Sequence, residues 1–297
     1  MARDVRLSYP FTLDLMDILF EPILCEIAKL ASGDEVTVVL DTLFSYSPPE
    51  AVMLLTMTDE IWTKTGKKVQ VNTDNINIYF DLVLRHNFLA IQNRADLNYT
   101  GIPKPFTMRR EYDVCVETCK VGQGQTNIDS LQEKIYQRFK NSSTRDVDLR
   151  DSVMAIVTIL VNNALTHSET DFCYVTVQQL RKKDEDRHRR ELLTYVVVSD
   201  NGQGISNSLW KKTCLIAASD AENIKMVLRK NYRVPGEGLL RGYKYAARLL
   251  PKYDGKLFVR SGNGVAVLEK DSISTHTYAT GFSGTQAYAV FTQYQYF

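Results

Sequence analysis

Asn163 and His167 fall four residues apart in VNNALTH, so on a helix their side chains share one face. An amide and an imidazole side by side, off the apolar stripe of the same segment, predict a lined cavity. A second chemistry-bearing group follows in Asp200-Asn201-Gly202-Gln203-Gly204. Asp200 ends a run of β-branched residues, which is a strand signal, and sets a carboxylate at the strand's end. Gly202 and Gly204 let the backbone take conformations that a Cβ forbids and approach a ligand closely. The helix face and the turn would form two walls of one site.

The elements that position these residues are legible on either side of them. The segment DSVMAIVTILVNNALTHS repeats apolar residues at Met154, Val157, Val161 and Leu165, the stripe of a helix packed on a sheet. DFCYVTVQQL alternates, with Phe172, Tyr174, Thr176 and Gln178 on one face and Cys173, Val175 and Val177 on the other, which predicts a half-buried strand. The mixed-sign run RKKDEDRHRRE, with His188 in it, reads as a solvated hairpin tip before the strand LLTYVVV. Beyond the turn, helical patches carry Lys225, Arg229, Lys230 and Arg233. Gly236-Glu237-Gly238 then opens the helix LLRGYKYAARLL, and unpaired N–H groups at a helix start favour anions. Gly284-Thr285 precedes a final strand.

In that order these residues resemble the histidine-kinase-like (GHKL, or Bergerat-fold) ATPases. Asn163 in VNNALTH is similar to the family's N-box, and Asp200 to Gly204 to its DxGxG box. Gly236-Glu237-Gly238-Leu239 is similar to the GxGL box after the ATP lid, and Gly284-Thr285 to the last GT element. Four motifs in the right sequence of helix, strand and helix contexts make a specific signal over the C-terminal half.

The resemblance implies ATP and Mg²⁺ as ligands. Asp200 would accept the adenine amino group, with Gly202 and Gly204 leaving room for base and lid, and Thr285 would bond the adenine edge directly or through water. The Asn163 side-chain oxygen would coordinate Mg²⁺, a hard cation that keeps several waters and shares the phosphates. His167 would stack on ribose or contact phosphate, the alternative being a packed polar residue at the helix end. Residues 206–235 would be the lid, and their basic residues suit a triphosphate. One position departs from the pattern. Four residues before the metal-binding Asn, hydrolytic members hold Glu as general base or water-orienting group, and this chain holds Ile159. An aliphatic residue takes no proton, so ATP binding is better supported than hydrolysis or serine phosphorylation, and a base would have to come from Glu169, Asp171 or a partner. No segment reads as a dimerising helical hairpin with a phosphoacceptor His, and His86 in VLRHNFLA reads as an ordinary helix residue.

The N-terminal part reads as strand EVTVVLD, turn SYSPP, a helix opened by Pro48, Pro49 and Glu50 and closed at Gly66, strand KKVQVNT, and helix NIYFDLVLRHNFLA, after a first helix near residues 12–30. Alternation at this spacing predicts α/β structure with parallel pairing. The segment resembles a STAS domain, the small α/β module of anti-sigma-factor antagonists. Pro48 and Pro49 stand where that family can carry a phosphorylated Ser or Thr, with Ser45 and Ser47 just before them, so a docking or dimerisation role without chemistry is the expectation.

The chain of 297 residues is long enough for two cores. The sequence therefore predicts an α/β protein of two domains, a STAS-like domain over 1–124 and a Bergerat-fold sandwich, a mixed sheet covered by helices, over 125–297. Its 36 Lys+Arg against 35 Asp+Glu predict no strong attraction to nucleic acid or an anionic membrane. MARDVRLSYP has no basic-then-apolar leader pattern, and the longest apolar run is far below the ~20 residues of a bilayer span. Cys25, Cys115, Cys119, Cys173 and Cys214 are odd in number and scattered, as expected of reduced structural thiols. A soluble, cytoplasmic protein is the expectation. The implied function is an ATP·Mg²⁺-binding regulatory switch acting on an unknown protein partner or in a homo-oligomer, with a slow ATPase or anti-sigma-type serine kinase as the alternative.

Overall fold

The computed structural model describes residues 4–10, 23–41, 48–72, 95–98, 112–141, 146–183, 189–214, 216–229, 232–234, 238–240 and 242–296. Most of the predicted helix at 12–30, Ser45, Ser47, the helix at 77–90 with His86, the hairpin tip with His188, Lys230 and Gly236 fall outside them. The chain divides into two compact α/β units, Met1–Met108 and Arg109–Phe297.

In the first unit, strands β1 (Asp4–Pro10), β2 (Glu35–Asp41), β3 (Val69–Asn72) and β4 (Ala95–Asn98) form a sheet in that order, every pair parallel. Between β2 and β3 runs helix α1 (Pro48–Thr65), as the strand–helix–strand spacing predicts. Pro48 and Pro49 fit its first turn, where the missing N–H would be unbonded anyway. Gly66, at φ +69°, ends it with its N–H on Trp62 O at 2.8 Å. The helix is buried on more than one face, and its threonines solve the polar cost by bonding back along the helix. Thr56, Thr58 and Thr65 hydroxyls donate to Val52, Leu54 and Ile61 carbonyls at 2.6, 2.7 and 2.9 Å.

The second unit is a five-stranded sheet in the order β10-β11-β7-β6-β5, with β5 at Tyr112–Gly122, β6 at Phe172–Lys183, β7 at Arg189–Asp200, β10 at Lys256–Glu269 and β11 at Ser272–Tyr296. Every pairing in it is antiparallel, where the sequence predicts a mixed sheet. Two of the four pairings, β6–β7 and β10–β11, are long hairpins, and an antiparallel pair needs no crossover helix. The expected division at 124 also differs from the observed one at 108/109, because β5 hydrogen-bonds to β6, with Val121 opposite Cys173. A short hairpin joins β8 (Tyr232–Val234) and β9 (Gly238–Leu240).

Helices α2 (Gln125–Asn141), α3 (Val147–His167), α5 (Asp220–Arg229) and α6 (Gly242–Leu249) contribute to the core that the sheet builds, and α4 (Gly204–Thr213) adds Ile205 at its margin. From α2 come Ile128, Leu131, Ile135 and Phe139, spaced three and four apart, and from the strands Val175, Val177, Val196, Val198, Ala287 and Ala289, spaced by two. Asp146 caps α3 by accepting Leu149 N–H at 2.9 Å. The buried stripe of α3 is Leu149, Val153, Ile156, Val157, Leu160, Val161 and Ala164. Met154 and Leu165, which the periodicity places on it, are only partly buried at its margin, since a stripe wide enough for neighbours on two sides reads equally well at several phases. The predicted half-burial of β6 also fails. Tyr174, Thr176 and Gln178 are 1, 0 and 3 % exposed, so both faces of that strand are covered. Cys173 and Cys214 are free thiols. Among the described residues, no helix is long and apolar enough to cross a membrane.

Ile156 is fully buried at the centre of the α3 stripe. Ile156→Ala should lower the unfolding free energy by about 2–5 kcal/mol, seen as a lower urea midpoint with an unchanged denaturant slope.

Candidate functional site

Strand β7 ends at Asp200 because the β-branched run gives way to Asn-Gly-Gln-Gly, which cannot extend it. Antiparallel pairing with β11 sets Asp200 opposite Thr285. The carboxyl group is 4 % exposed. Its Oδ1 accepts the N–H of Gly202 at 2.9 Å and of Thr285 at 3.3 Å, so Oδ2 is the oxygen available to a ligand. Burial pushes the carboxyl pKa up to about 7, against the opposing pull of those two N–H groups.

Gly284 makes this arrangement possible. It sits at φ +87°, and a Cβ there would lie 2.0 Å from the carbonyl oxygen of Asp200, so both conformation and space demand glycine. The turn 201–203 is fastened to the end of α3, with Gln203 N on Ser168 O and Gln203 Nε2 on His167 O, each at 2.8 Å. A Cβ on Gly202 would meet Ser168 O at 2.2 Å. The room that Gly202 leaves is therefore taken by the protein's own backbone and not by a ligand, which corrects the role implied for it. The Ser261 hydroxyl donates to Gly284 O at 2.9 Å and accepts Ile205 N–H at 2.8 Å, which joins β10, β11 and the start of α4.

Asn163, His167, Asp200, Gly204 and Thr285 line one cavity within the second unit, across which α3 faces the β7 turn. Its other polar lining comes from Ser168, Ser208, Lys212, Thr213 and Tyr243, and its apolar lining includes Leu160, Val198, Ile205, Leu209 and Ala287. An apolar hollow with a few placed polar groups is the usual form of a small-molecule site. Tyr243 keeps its proton firmly, because burial and the Asp200 carboxylate both push its phenol pKa up.

The GxGL segment does not behave as the sequence predicts. Gly238 and Leu239 form strand β9 instead of opening a helix, and the helix starts at Gly242, because residues 238–240 pair with β8. The glycine that reaches the site is Gly242, where a Cβ would lie 2.7 Å from both Asn163 Nδ2 and Asn163 Oδ1. The Asn163 amide thus lies flat against the first residue of α6. Its Nδ2 is buried and has no hydrogen-bond partner among the described residues, an unusual cost that an incoming acceptor would remove.

Other expected groups lie elsewhere. Lys225 pairs with Glu222 at 2.9 Å, and neither it nor Arg229 lines the cavity. Among the described residues, the lysine that lines the cavity is Lys212, on α4, with Nζ 2.9 Å from His167 Nδ1. Ile159 is partly buried against the core and stands outside the lining, while Glu169 binds Lys211 with both oxygens at 2.7 Å. Helix α5, inside the stretch read as a lid, packs Ala221, Ile224 and Leu228 to 0–3 % exposure. It belongs to the framework of the unit. Sequence reasoning missed Gly242, Tyr243 and Lys212. The only signal for the first two was the break between LLR and the amphipathic GYKYAARLL, and for Lys212 none beyond its helix.

The group implied by the resemblance can be tested against these residues. Mg²⁺ commonly takes one or two protein oxygens and completes its shell with water and phosphate, so the single Asn163 amide oxygen is a sufficient donor. The orphaned Nδ2 beside it suits a phosphate oxygen, and Asp200 Oδ2 suits an amino donor. The residues fit a magnesium nucleotide. No protein-family model matches the chain, and no curated protein matches it.

The Asp200 carboxyl gives a pH signature with a definite sign. Between its ordinary pKa of 3.8 and its folded value of about 7, the folded chain keeps a proton that the unfolded chain has lost. Stability should therefore fall as pH rises through that window, by on the order of 4 kcal/mol in all, and level off above it. Urea unfolding from pH 4.5 to 8 should show the decline in the wild type and lose most of it in Asp200→Asn.

Proposed function

We propose that the second unit binds ATP with Mg²⁺ and acts as a nucleotide-dependent switch. Its bound state would be read by a protein partner or by a second copy of the chain, with the first unit as the docking part. The single observation that carries this reading is that Asp200 and Asn163, 37 positions apart in the chain (200 minus 163), line the same cavity from opposite elements. In this reading Asp200 Oδ2 accepts the adenine amino group, Thr285 lies beside the purine edge, and Asn163 holds the metal-bound phosphates. Free thiols and balanced charge suit a cytoplasmic setting. Among the described residues, nothing that lines the cavity favours the slow ATPase or serine kinase. Ile159 carries no acid or base, Glu169 is engaged by Lys211, and Asp171 lies outside the lining.

Saturation with ATP and Mg²⁺ should raise the thermal midpoint by roughly 5–10 °C at a hundredfold excess over Kd, without release of phosphate or labelling of the protein. Asp200→Asn should abolish the shift, and retained binding in that variant would move the site elsewhere. Asn163→Ala and Gly242→Ala should each remove its magnesium-dependent part, the second because its methyl group meets the amide at 2.7 Å. Turnover that disappears in Asn163→Ala would restore the enzyme reading. Because only the ionised carboxylate leaves Oδ2 without a proton to accept the amino group, adenosine should bind about tenfold more weakly at pH 6 than at pH 8.

A further inference from the structure

Lys211 and Lys212 are neighbours in the last turn of α4, where a positive charge is favoured by the helix dipole alone. Their side chains nevertheless part company. Lys211 runs outward to Glu169, in a pair whose two side chains are 54 and 58 % exposed. Lys212 turns inward, lines the cavity and bonds to His167 Nδ1 at 2.9 Å across from α3. That contact decides the state of the imidazole. An ammonium group has only donors, so Nδ1 accepts and the neutral ring carries its proton on Nε2. Asn163 lies one turn back on α3, roughly 6 Å along the axis, with its buried Nδ2 without a partner among the described residues. One wall of the cavity thus carries an amide N–H, an imidazole N–H and an ammonium group, and the carboxylate of Asp200 lies at another.

We propose that Lys212 and His167 form a two-residue clamp for the phosphate chain, with Lys212 supplying charge and fixing the His167 tautomer so that the ring donates to a phosphate oxygen. For the identity of the ligand this rests on the nucleotide reading above. The clamp makes His167 a donor with no lone pair available for a proton, so it binds the phosphates without activating water. It separates polyphosphate ligands from the bare nucleoside, and it spans α3 and α4, so the phosphates bear on both helices.

The test is calorimetric titration of the full chain with three probes, inorganic tripolyphosphate, adenosine and ATP, in the wild type, Lys212→Met, His167→Gln and Lys211→Met. A charge-assisted bond of this kind is worth roughly tenfold or more in affinity. Lys212→Met should weaken tripolyphosphate and ATP by about that factor and leave adenosine unchanged, while Lys211→Met changes none of them. His167→Gln, which keeps a donor, should lose less than Lys212→Met. Nitrogen chemical shifts of the His167 ring should report the Nε2–H tautomer in the wild type and a tautomer mixture in Lys212→Met. Those shifts and an unchanged thermal midpoint separate the clamp from a folding defect. Equal tripolyphosphate affinity in the wild type and Lys212→Met, or no tripolyphosphate binding at all, overturns the clamp, even where adenosine binding keeps the nucleotide reading. Tripolyphosphate binding that depends on Lys212, with no adenosine binding, supports the clamp and overturns the nucleotide reading.

Discussion

A carboxyl group held almost entirely out of water must be satisfied by the protein around it, and the groups that satisfy Asp200 fix three pieces of chain. Its Oδ1 gathers the N–H of Gly202 from the following turn and of Thr285 from the neighbouring strand. The carbonyl of the same residue approaches Gly284 so closely that no side chain fits between them. Even with both bonds in place, burial outweighs them and the carboxyl titrates near neutrality. The site therefore stores a polar group that is only partly compensated. A ligand donor on Oδ2 would complete what folding leaves undone.

Helix α3 serves two environments at once. Seven of its residues are buried in the core, while Asn163 and His167 look onto the cavity from positions beside Leu160 and Ala164, which belong to both. The amide of Asn163 is held against Gly242, and the ring of His167 is tied to Lys212. The cavity wall is thus carried by the same helix that the core holds in place. Position on a regular element fixes side chains more closely than position on a loop does.

Legibility in the sequence followed the range of the interaction. Strand β2 was readable to the residue, since EVTVVLD is bounded by Gly33 and Asp34 on one side and a turn on the other. Helix α3 and the end of β7 at Asp200 were readable because local periodicity and a glycine-rich break specify them. Met154 and Leu165 were assigned to the wrong part of the α3 stripe, because several phases of a broad apolar face fit one sequence. The second face of β6 carries Tyr174, Thr176 and Gln178, whose polarity argues for solvent, yet it is covered. Thr176 donates to Val116 O of the neighbouring strand at 3.0 Å and accepts from Gln178 Nε2 of its own strand at 3.1 Å, and the first of these crosses the sheet, invisible to alternation. Gly242 and Lys212 were missed for the same reason. Their importance lies in which residue of another element they touch, at 79 and 45 positions' distance in the chain (242 minus 163 and 212 minus 167), and no local pattern encodes that.

Strand β11 changes partners along its length. From Thr285 to Tyr296 it is bracketed by β7, and over much of that span by β10 on the other side, whereas from Ser272 to Phe282 its pairing among the described residues is with β10 alone. The outlying half is a two-stranded ribbon, an arrangement of marginal stability in isolation. Val265 and Tyr278 of the ribbon form a small apolar cluster with Phe258 of the inner half. An open strand border invites pairing with foreign chains, and this one is lined by the largely exposed run Ser274, Thr275, His276 and Thr277. A border so polar is poorly suited to cross-β stacking, so the ribbon, whose Ala266 and Leu268 reach back into the main core, can present that border without becoming a point of self-association.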